Sequence, residues 1–402
     1  MTNSNMGKIN LASFKDFFSS KSVGGVLLII CVVLSITIAN SSFGNAFAEL
    51  LNHQIGQNFG TINLKYPIIL WINDGLMAIF FLLVGLEIKR ELVEGELSSP
   101  SQAALPVFAA VGGMIVPALL FSLFNANTPT ANGWGIPMAT DIAFAIAILS
   151  LLGDKVPTSL KIFLTALAIV DDLGAILVIA IFYSSDIHVD YLGYAAGVMV
   201  LLIALNRLKV VNLFFYLIPG VLMWYFIHHS GIHATIAGVL TALTIPTTPD
   251  EKESSLERLE HFLTRPVNFL IMPIFALANT NIKFESGMLD GLFSNMGFGI
   301  ITGLLLGKPV GIFCMSWLSV KLRLGALPEG IRWTQIIALG ILGGIGFTMS
   351  IFVSMLSYDD VALQNQAKFV ILFTSVLAGL IGYLALKAIY NRSKLSPGKI
   401  LP

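Results

Sequence analysis

Residues 161–183 read KIFLTALAIVDDLGAILVIAIFY. The run is long enough for one bilayer crossing, which takes roughly 20 mainly apolar residues. Two adjacent acids, Asp171 and Asp172, stand near its middle. An ionisable group at that depth costs at least about 2.5 kcal/mol on insertion scales, so it marks a function or a partner. Neighbours on an α-helix point about 100° apart. The two carboxylates therefore cannot share one task. One is placed to pair with a base on another helix, and the other to face an aqueous pathway and bind an ion.

The rest of the chain has the same character. Of its 402 residues 56% are hydrophobic and 11% charged, against about 25% charged in a soluble domain. The bilayer must then be the solvent for much of the surface. Apolar runs predict spans at 23–39, 67–86, 103–124, 136–152, 161–183, 191–205, 213–227, 232–245, 265–278, 296–320, 335–356 and 369–386. The expected fold is an all-α integral membrane protein of about twelve transmembrane helices. Those between 191 and 278 are short. The first run lacks a clear cleavage site and reads as a retained helix. With both termini in the cytoplasm, nineteen of the 23 Lys and Arg residues fall on the inside, including Lys8, Lys15, Lys252 and Lys399. Only Lys65 and Lys283 fall in outside loops. That bias sets the orientation. The longest outside segment, 41–66, reads as a small hairpin or surface helix and is a candidate dimer contact. Cys31 and Cys314 lie far apart in apolar runs and form no disulfide framework or metal cluster. The net charge of +0 gives no drive towards nucleic acid, and no motif implies a cofactor.

The other intramembrane ionisable groups are Asp74, Asp141, His233 and Lys308. Four acids against one obligate base make an interior that attracts cations and disfavours an anion or a neutral sugar. Lys308, in LLLGKPVG, is the natural partner for one acid of the pair, either within an ion site or as a plain bridge between helices. Asp141 follows Thr140 in a segment broken near Pro137, so half-helix ends would face each other at the midplane. Asp141 would offset facing N-termini and Lys308 facing C-termini. Gly340, Gly343, Gly344 and Gly346 mark a second interrupted span, or close helix packing. Residues 103–183 and 296–390 thus each form a trio whose middle member is interrupted, the pattern of inverted repeats within one membrane domain. Glu87 and Glu91 share a helix face near one end of the second span, as an acidic entrance or a solvated helix end. Asp74 lies near the other end of that span. Glu260 and His261 stand at the entry to the ninth, as a titrating switch or as surface residues. His233 reads as structural or weakly pH-responsive.

WINDGLMAIFFLLVGLEIKREL, IPMATDIAFAI, ALAIVDDLGAI, GIHATIAGV, GKPVGI and GILGGIGFTMSIF, in this order, resemble the NhaA-type sodium/proton antiporters. The likeness runs from about residue 15 to 390. It implies crossed, interrupted fourth and eleventh helices in a bacterial inner membrane. It implies electrogenic, pH-regulated exchange of one Na+ or Li+ for two protons by alternating access. Asp171 and Asp172 then resemble the family's ion- and proton-carrying pair, with Asp172 the direct ligand. Asp141 and Thr140 resemble the assembly at the crossing, and Lys308 its basic counterpart. Asp74 and Glu87 fall on the ion pathway. Glu87, Glu91, Glu260, His261 and Gly346 resemble the pH-responding set. Thr264 departs from the histidine that family members can carry one turn after the Glu-His pair, and Glu257 stands where a basic residue can occur.

Three other classes fit less well. A Na+-coupled solute symporter needs a larger polar cavity, and no intramembrane aromatic or Arg cluster signals one. A cation channel needs a repeated filter loop. An intramembrane aspartyl hydrolase needs carboxylates opposed across helices, which adjacent Asp171 and Asp172 fit poorly, although Asp141 could oppose one of them.

Overall fold

The computed structural model describes residues 21–59, 62–184, 187–247, 254–284 and 287–395. Lys8, Lys15, Lys252 and Lys399, which enter the orientation argument, lie outside the described residues. Among the described residues each of the twelve expected spans has a helical counterpart. Eight helices are long and apolar enough to cross a membrane unaided: Ile68–Val93, Pro100–Asn125, Ala131–Ser150, Thr158–Phe182, Val189–Arg207, Ser255–Asn279, Asn295–Lys321 and Val361–Asn391. The first span, Val23–Ala39, is followed by Gly44–Asn52 at 110°, and the eleventh is the bent pair Trp333–Gly343 and Phe347–Ser357. The seventh and eighth are shorter, Phe214–His229 and Ile236–Thr244. Large apolar side chains such as Leu123, Val200 and Val376 are about two-thirds or more exposed. Water would not tolerate such a surface, so this is a multi-pass membrane protein.

The segment expected as a hairpin or a surface helix contains both. Gly44–Asn52 turns away from the first span. Gln54–Ile55 then pairs antiparallel with Tyr66–Pro67, and Asn58–Phe59 with Ile62–Asn63.

Lipid tails are as apolar as leucine, so helices in a bilayer associate where small residues let backbones approach. The third and tenth spans meet this way. A Cβ on Gly112 would stand 2.2 Å from the Gly311 carbonyl, and one on Gly311 would stand 2.0 Å from the Gly112 carbonyl. The tenth span carries a wide π-helical turn, Gly303–Gly307, directly before Lys308.

The fourth and eleventh spans are both interrupted. In the fourth, a 3₁₀ stretch Ala131–Met138 gives way to extended backbone, and a fresh helix runs from Ile142 to Ser150. Pro137 supplies no N–H to continue the helix. In the eleventh, the two halves meet at 49°. The breaks lie against each other: Asp141 N–H donates to Ile345 O at 2.7 Å, and the Ser350 hydroxyl to Ile136 O at 2.7 Å. The glycines of the eleventh span serve close approach, not a left-handed backbone. None of them has positive φ. A Cβ on Gly340 would meet Pro309 at 2.7 Å, one on Gly344 the Leu304 carbonyl at 2.3 Å, and one on Gly346 the Ser350 hydroxyl at 2.0 Å.

Candidate functional site

The adjacent acids diverge. Asp171 is buried and its Oδ2 forms an ion pair with Lys308, which is wholly buried. The Thr140 hydroxyl stands 2.7 Å from the same oxygen and 2.8 Å from the Gly343 carbonyl, so it ties the carboxylate to the crossing. Asp171 Oδ1 has no hydrogen-bond partner. Asp172 faces the other way. It lines a cavity of about 450 Å³, and no hydrogen-bond donor among the described residues reaches its carboxylate. A carboxylate on a cavity wall with no donor bonded to it is available to a cation or a proton.

Asp141 sits where the half-helices begin. Its Oδ1 accepts from Phe144 N–H at 3.0 Å and caps Ile142–Ser150. Its Oδ2 accepts from Thr348 N–H at 3.2 Å and from the Thr348 hydroxyl, at the start of Phe347–Ser357. One carboxylate thus compensates two helix N-termini, each carrying about half a positive charge. That is the arrangement expected for Asp141. Lys308 pairs with one acid of the adjacent pair, as expected, through the Asp171 carboxylate; it does not meet the facing C-terminus, where the Gly343 carbonyl accepts from Thr140.

The cavity runs from Thr140, Asp141 and Asp172 to Glu87, Arg90, Glu260 and His261. Glu260 and Arg90 bridge the ninth and second spans, with Arg90 Nε 3.0 Å from Glu260 Oε2. No N–H is aligned on that oxygen, so the contact is ionic. Arg90 is partly exposed, and its pair carries little energy there. Among the expected site residues, then, Glu87, Glu260, His261, Asp141, Thr140 and Asp172 share one cavity. Asp171 and Lys308 stand behind it. Glu91 pairs with Arg90 at 3.3 Å and accepts from Glu96 N–H, outside the lining. Gly346 packs on Ser350 and the Ala139 carbonyl, also outside it. Asp74 lies elsewhere, in a π-helical turn Trp71–Leu76, and pairs with His228 Nδ1 at 3.1 Å. His233 Nε2 is 2.8 Å from the Tyr183 carbonyl, a structural contact.

A family model described as Na+/H+ antiporter 1 matches residues 15–386. The chain belongs to this family. It is 66% identical to a Na(+)/H(+) antiporter NhaA 2 of Flavobacterium johnsoniae, over 96% of this chain and 95% of that one. A Na(+)/H(+) antiporter NhaA of Flavobacterium psychrophilum is 53% identical over 94% and 97% of the two chains. One of Citrobacter koseri is 50% identical over 95% and 98%.

This antiporter-family chain also carries site residues that the sequence reading passed over. Thr348 holds Asp141 from the opposite broken helix. Its signal is a hydroxyl placed where a new half-helix starts after a glycine run. Thr165 and Asn268 line the cavity. Thr165 precedes Asp172 by two helical turns, so both lie on one face, a spacing visible in the sequence. Arg90 lines the mouth, and only the fold shows that its partner is Glu260.

Proposed function

We propose that the protein exports cytoplasmic Na+, and Li+, in exchange for external protons across a bacterial inner membrane. The observation that carries this reading is the division of labour between the acids: Asp171 on a buried lysine, Asp172 on the wall of a cavity shared with Glu87, Thr165 and Glu260. The orientation proposed puts both termini and the Glu87–His261 end of the cavity in the cytoplasm. Na+ would enter past Glu87, shed water and take the Asp172 carboxylate, with oxygens such as the Thr165 hydroxyl beside it. A proton on Asp172 removes the charge Na+ needs, so the two cargoes compete for one place.

The exchange is electrogenic in this proposal, two protons for each Na+. The second proton belongs to the coupled group of Asp171, Lys308 and Asp172, which titrates as a set. Asp141 and Thr140 keep the crossing in register while the Lys308–Asp171 bond changes. The domain is taken as two inverted repeats, 103–183 and 296–390. The close packing of the third span on the tenth, and of the fourth on the eleventh, supports that division. Rocking of one bundle against the other would expose Asp172 to each side in turn. Glu87, Glu91, Glu260, His261 and Gly346 are proposed to set the response to cytoplasmic pH, Asp74 to lie towards the outward end, and the hairpin at 41–66 to join two copies.

The test uses everted vesicles from cells lacking their own sodium/proton antiporters. Respiration acidifies the lumen and quenches acridine orange. Addition of Na+ or Li+ restores fluorescence if the chain exchanges them for protons, and Asp172→Asn removes that response. No recovery at any pH, with the protein present in the membrane, would refute the proposal.

A further inference from the structure

A second cavity, of about 370 Å³, has walls from the first and twelfth spans, the segment that follows the ninth, and Phe144 and Phe347 at the two half-helix starts. Every lining side chain except Ser375 is hydrocarbon. The Ser375 hydroxyl is itself engaged, accepting from Phe347 N–H at 3.0 Å. Of the lining residues, Ile29, Val33, Phe373 and Val376 are also exposed on the outer surface. The cavity therefore opens sideways, towards the hydrocarbon of the bilayer. Its walls are fixed by hydrogen bonds. Asn40, just past the first span, donates to the Ile282 carbonyl at 2.9 Å and accepts from Phe284 N–H at 2.7 Å. The Ser35 hydroxyl donates to the Leu277 carbonyl at 2.6 Å.

One end of this cavity is marked by charge. Phe284 and Phe369 pack edge to face there, with ring centres 6.2 Å apart, and each directly follows a lysine, Lys283 and Lys368. Lys368, Leu372 and Ser375 are spaced by four and three, so the lysine shares the helix face that lines the cavity. Its side chain leans towards the N-terminus of the twelfth span, and so away from the cavity towards the membrane surface. Lys283 is exposed and Lys368 half-buried. Neither forms a hydrogen bond or an ion pair among the described residues. The carboxylate of Asp360, at the start of the same helix, accepts from Ala362 N–H at 2.8 Å instead. Both lysines also stand apart from the inside bias of the other basic residues. A cation at the edge of hydrocarbon without a counter-ion is costly, so this pair calls for an anion.

We propose that the cavity is a binding site for one anionic glycerophospholipid, with an acyl chain in the apolar space and the phosphate on Lys283 and Lys368. An apolar tail beside a single negative charge is the shape that this cavity and its two cations complement. At about 30 Å³ for a water-sized group, the space takes roughly a dozen methylenes. Each methylene brought out of water contributes to binding, but a tail already in the bilayer gains little from another apolar wall. Selectivity therefore comes from the lysines, and the tail sets the place. In the orientation proposed above the lipid belongs to the outer leaflet. Its chain lies against Phe144 and Phe347, whose ring centres are 5.4 Å apart. Phe144 N–H is the donor that holds Asp141, so the lipid tail is part of the packing behind the crossing.

The test places a tryptophan on the cavity wall with Phe373→Trp, in the full-length protein in nonionic detergent. Phosphatidylglycerol with brominated tails quenches that residue by contact, and the signal of the Phe373 parent is subtracted. Quenching should need at least fivefold less phosphatidylglycerol than phosphatidylcholine. Lys283→Gln and Lys368→Gln should each weaken the phosphatidylglycerol binding about fivefold, the weight of one lysine near an anionic lipid. Lys283→Arg and Lys368→Arg should keep it, which separates lost charge from a folding defect. No preference between the two lipids, or a Lys283→Gln/Lys368→Gln double variant that binds as tightly as the parent, overturns the proposal. Displacement of the lipid by millimolar inorganic phosphate overturns it in favour of a free-anion site. A second copy as the occupant would show as a dimer in native mass spectra that Leu372→Trp dissolves, and that result also overturns it. Binding in detergent is read without any ion flux, so failure of the exchange reading would leave this outcome unchanged.

Discussion

Replacing Lys308 with methionine tests the pair behind the site. Lys308 is wholly buried and Asp171 is 3% exposed. Methionine fills the space of the lysine stem but leaves the Asp171 carboxylate with one neighbour, the Thr140 hydroxyl, while Oδ1 has none. Breaking a buried ion pair by removing one partner costs about 3–5 kcal/mol, because the remaining charge is uncompensated. Removing both charges together, as in Asp171→Asn/Lys308→Met, costs roughly 0–1 kcal/mol by the same reasoning. Unfolding entropy scales with chain length, so at this size each kcal/mol moves the midpoint by roughly 1–2 °C. The single variant should melt roughly 3–10 °C below the parent, and the double variant within about 2 °C of it. Tryptophan fluorescence of the detergent-purified proteins during heating reads both values. A Lys308→Met midpoint equal to the parent's, or a double variant as unstable as the single one, would refute the assignment of Lys308 and Asp171 as a charge pair.

Further outcomes follow from the same geometry. Lys89 donates to the carbonyls of Leu243 and Ile245 at the end of the short Ile236–Thr244 helix. Lys89→Met should therefore cost about 1–3 kcal/mol of stability in thermal unfolding while leaving the exchange rate near the parent's. Gly311→Val drives a side chain into the Gly112 backbone, so it should lower the yield of folded protein by gel filtration far more than Gly193→Val, whose Cβ meets nothing within 4 Å. If one proton and Na+ compete at Asp172, each unit fall in cytoplasmic pH should raise the apparent KM for Na+ about tenfold over the acid limb, since a pH unit is about 1.36 kcal/mol of proton chemical potential. A flat KM across pH 6 to 8, with only the maximal rate changing, would exclude competition.

Much of the site was legible because charge is rare in apolar spans and the helix has a fixed period. Adjacency alone forced Asp171 and Asp172 apart, and scarcity pointed to Lys308 as the base. Pro137 and the glycine run marked the two interruptions. What stayed hidden depends on contacts distant in sequence. Asp74 and His228 meet through the second and seventh spans, and nothing near either residue announces the other. Arg90 and Glu260 are likewise joined by packing alone. The wide turns at Trp71–Leu76, Val267–Ile271 and Gly303–Gly307 differ from α-helix by one hydrogen-bond register, which apolar composition does not encode. The eighth span was uncertain for a similar reason. Nine residues rise only about 14 Å, and Ile236–Thr244 is completed by the turn before it and by Lys89 from another span.

The most direct test of exchange at Asp172 uses purified protein in sealed liposomes with an acid interior and ²²Na+ outside. The account predicts Na+ accumulation coupled to proton efflux from the lumen. It predicts a larger uptake when the membrane potential set by the ion flow is collapsed with K+ and valinomycin, and neither flux in Asp172→Asn. Na+ uptake that proceeds without proton movement, or an Asp172→Asn protein that exchanges as the parent does, would contradict it.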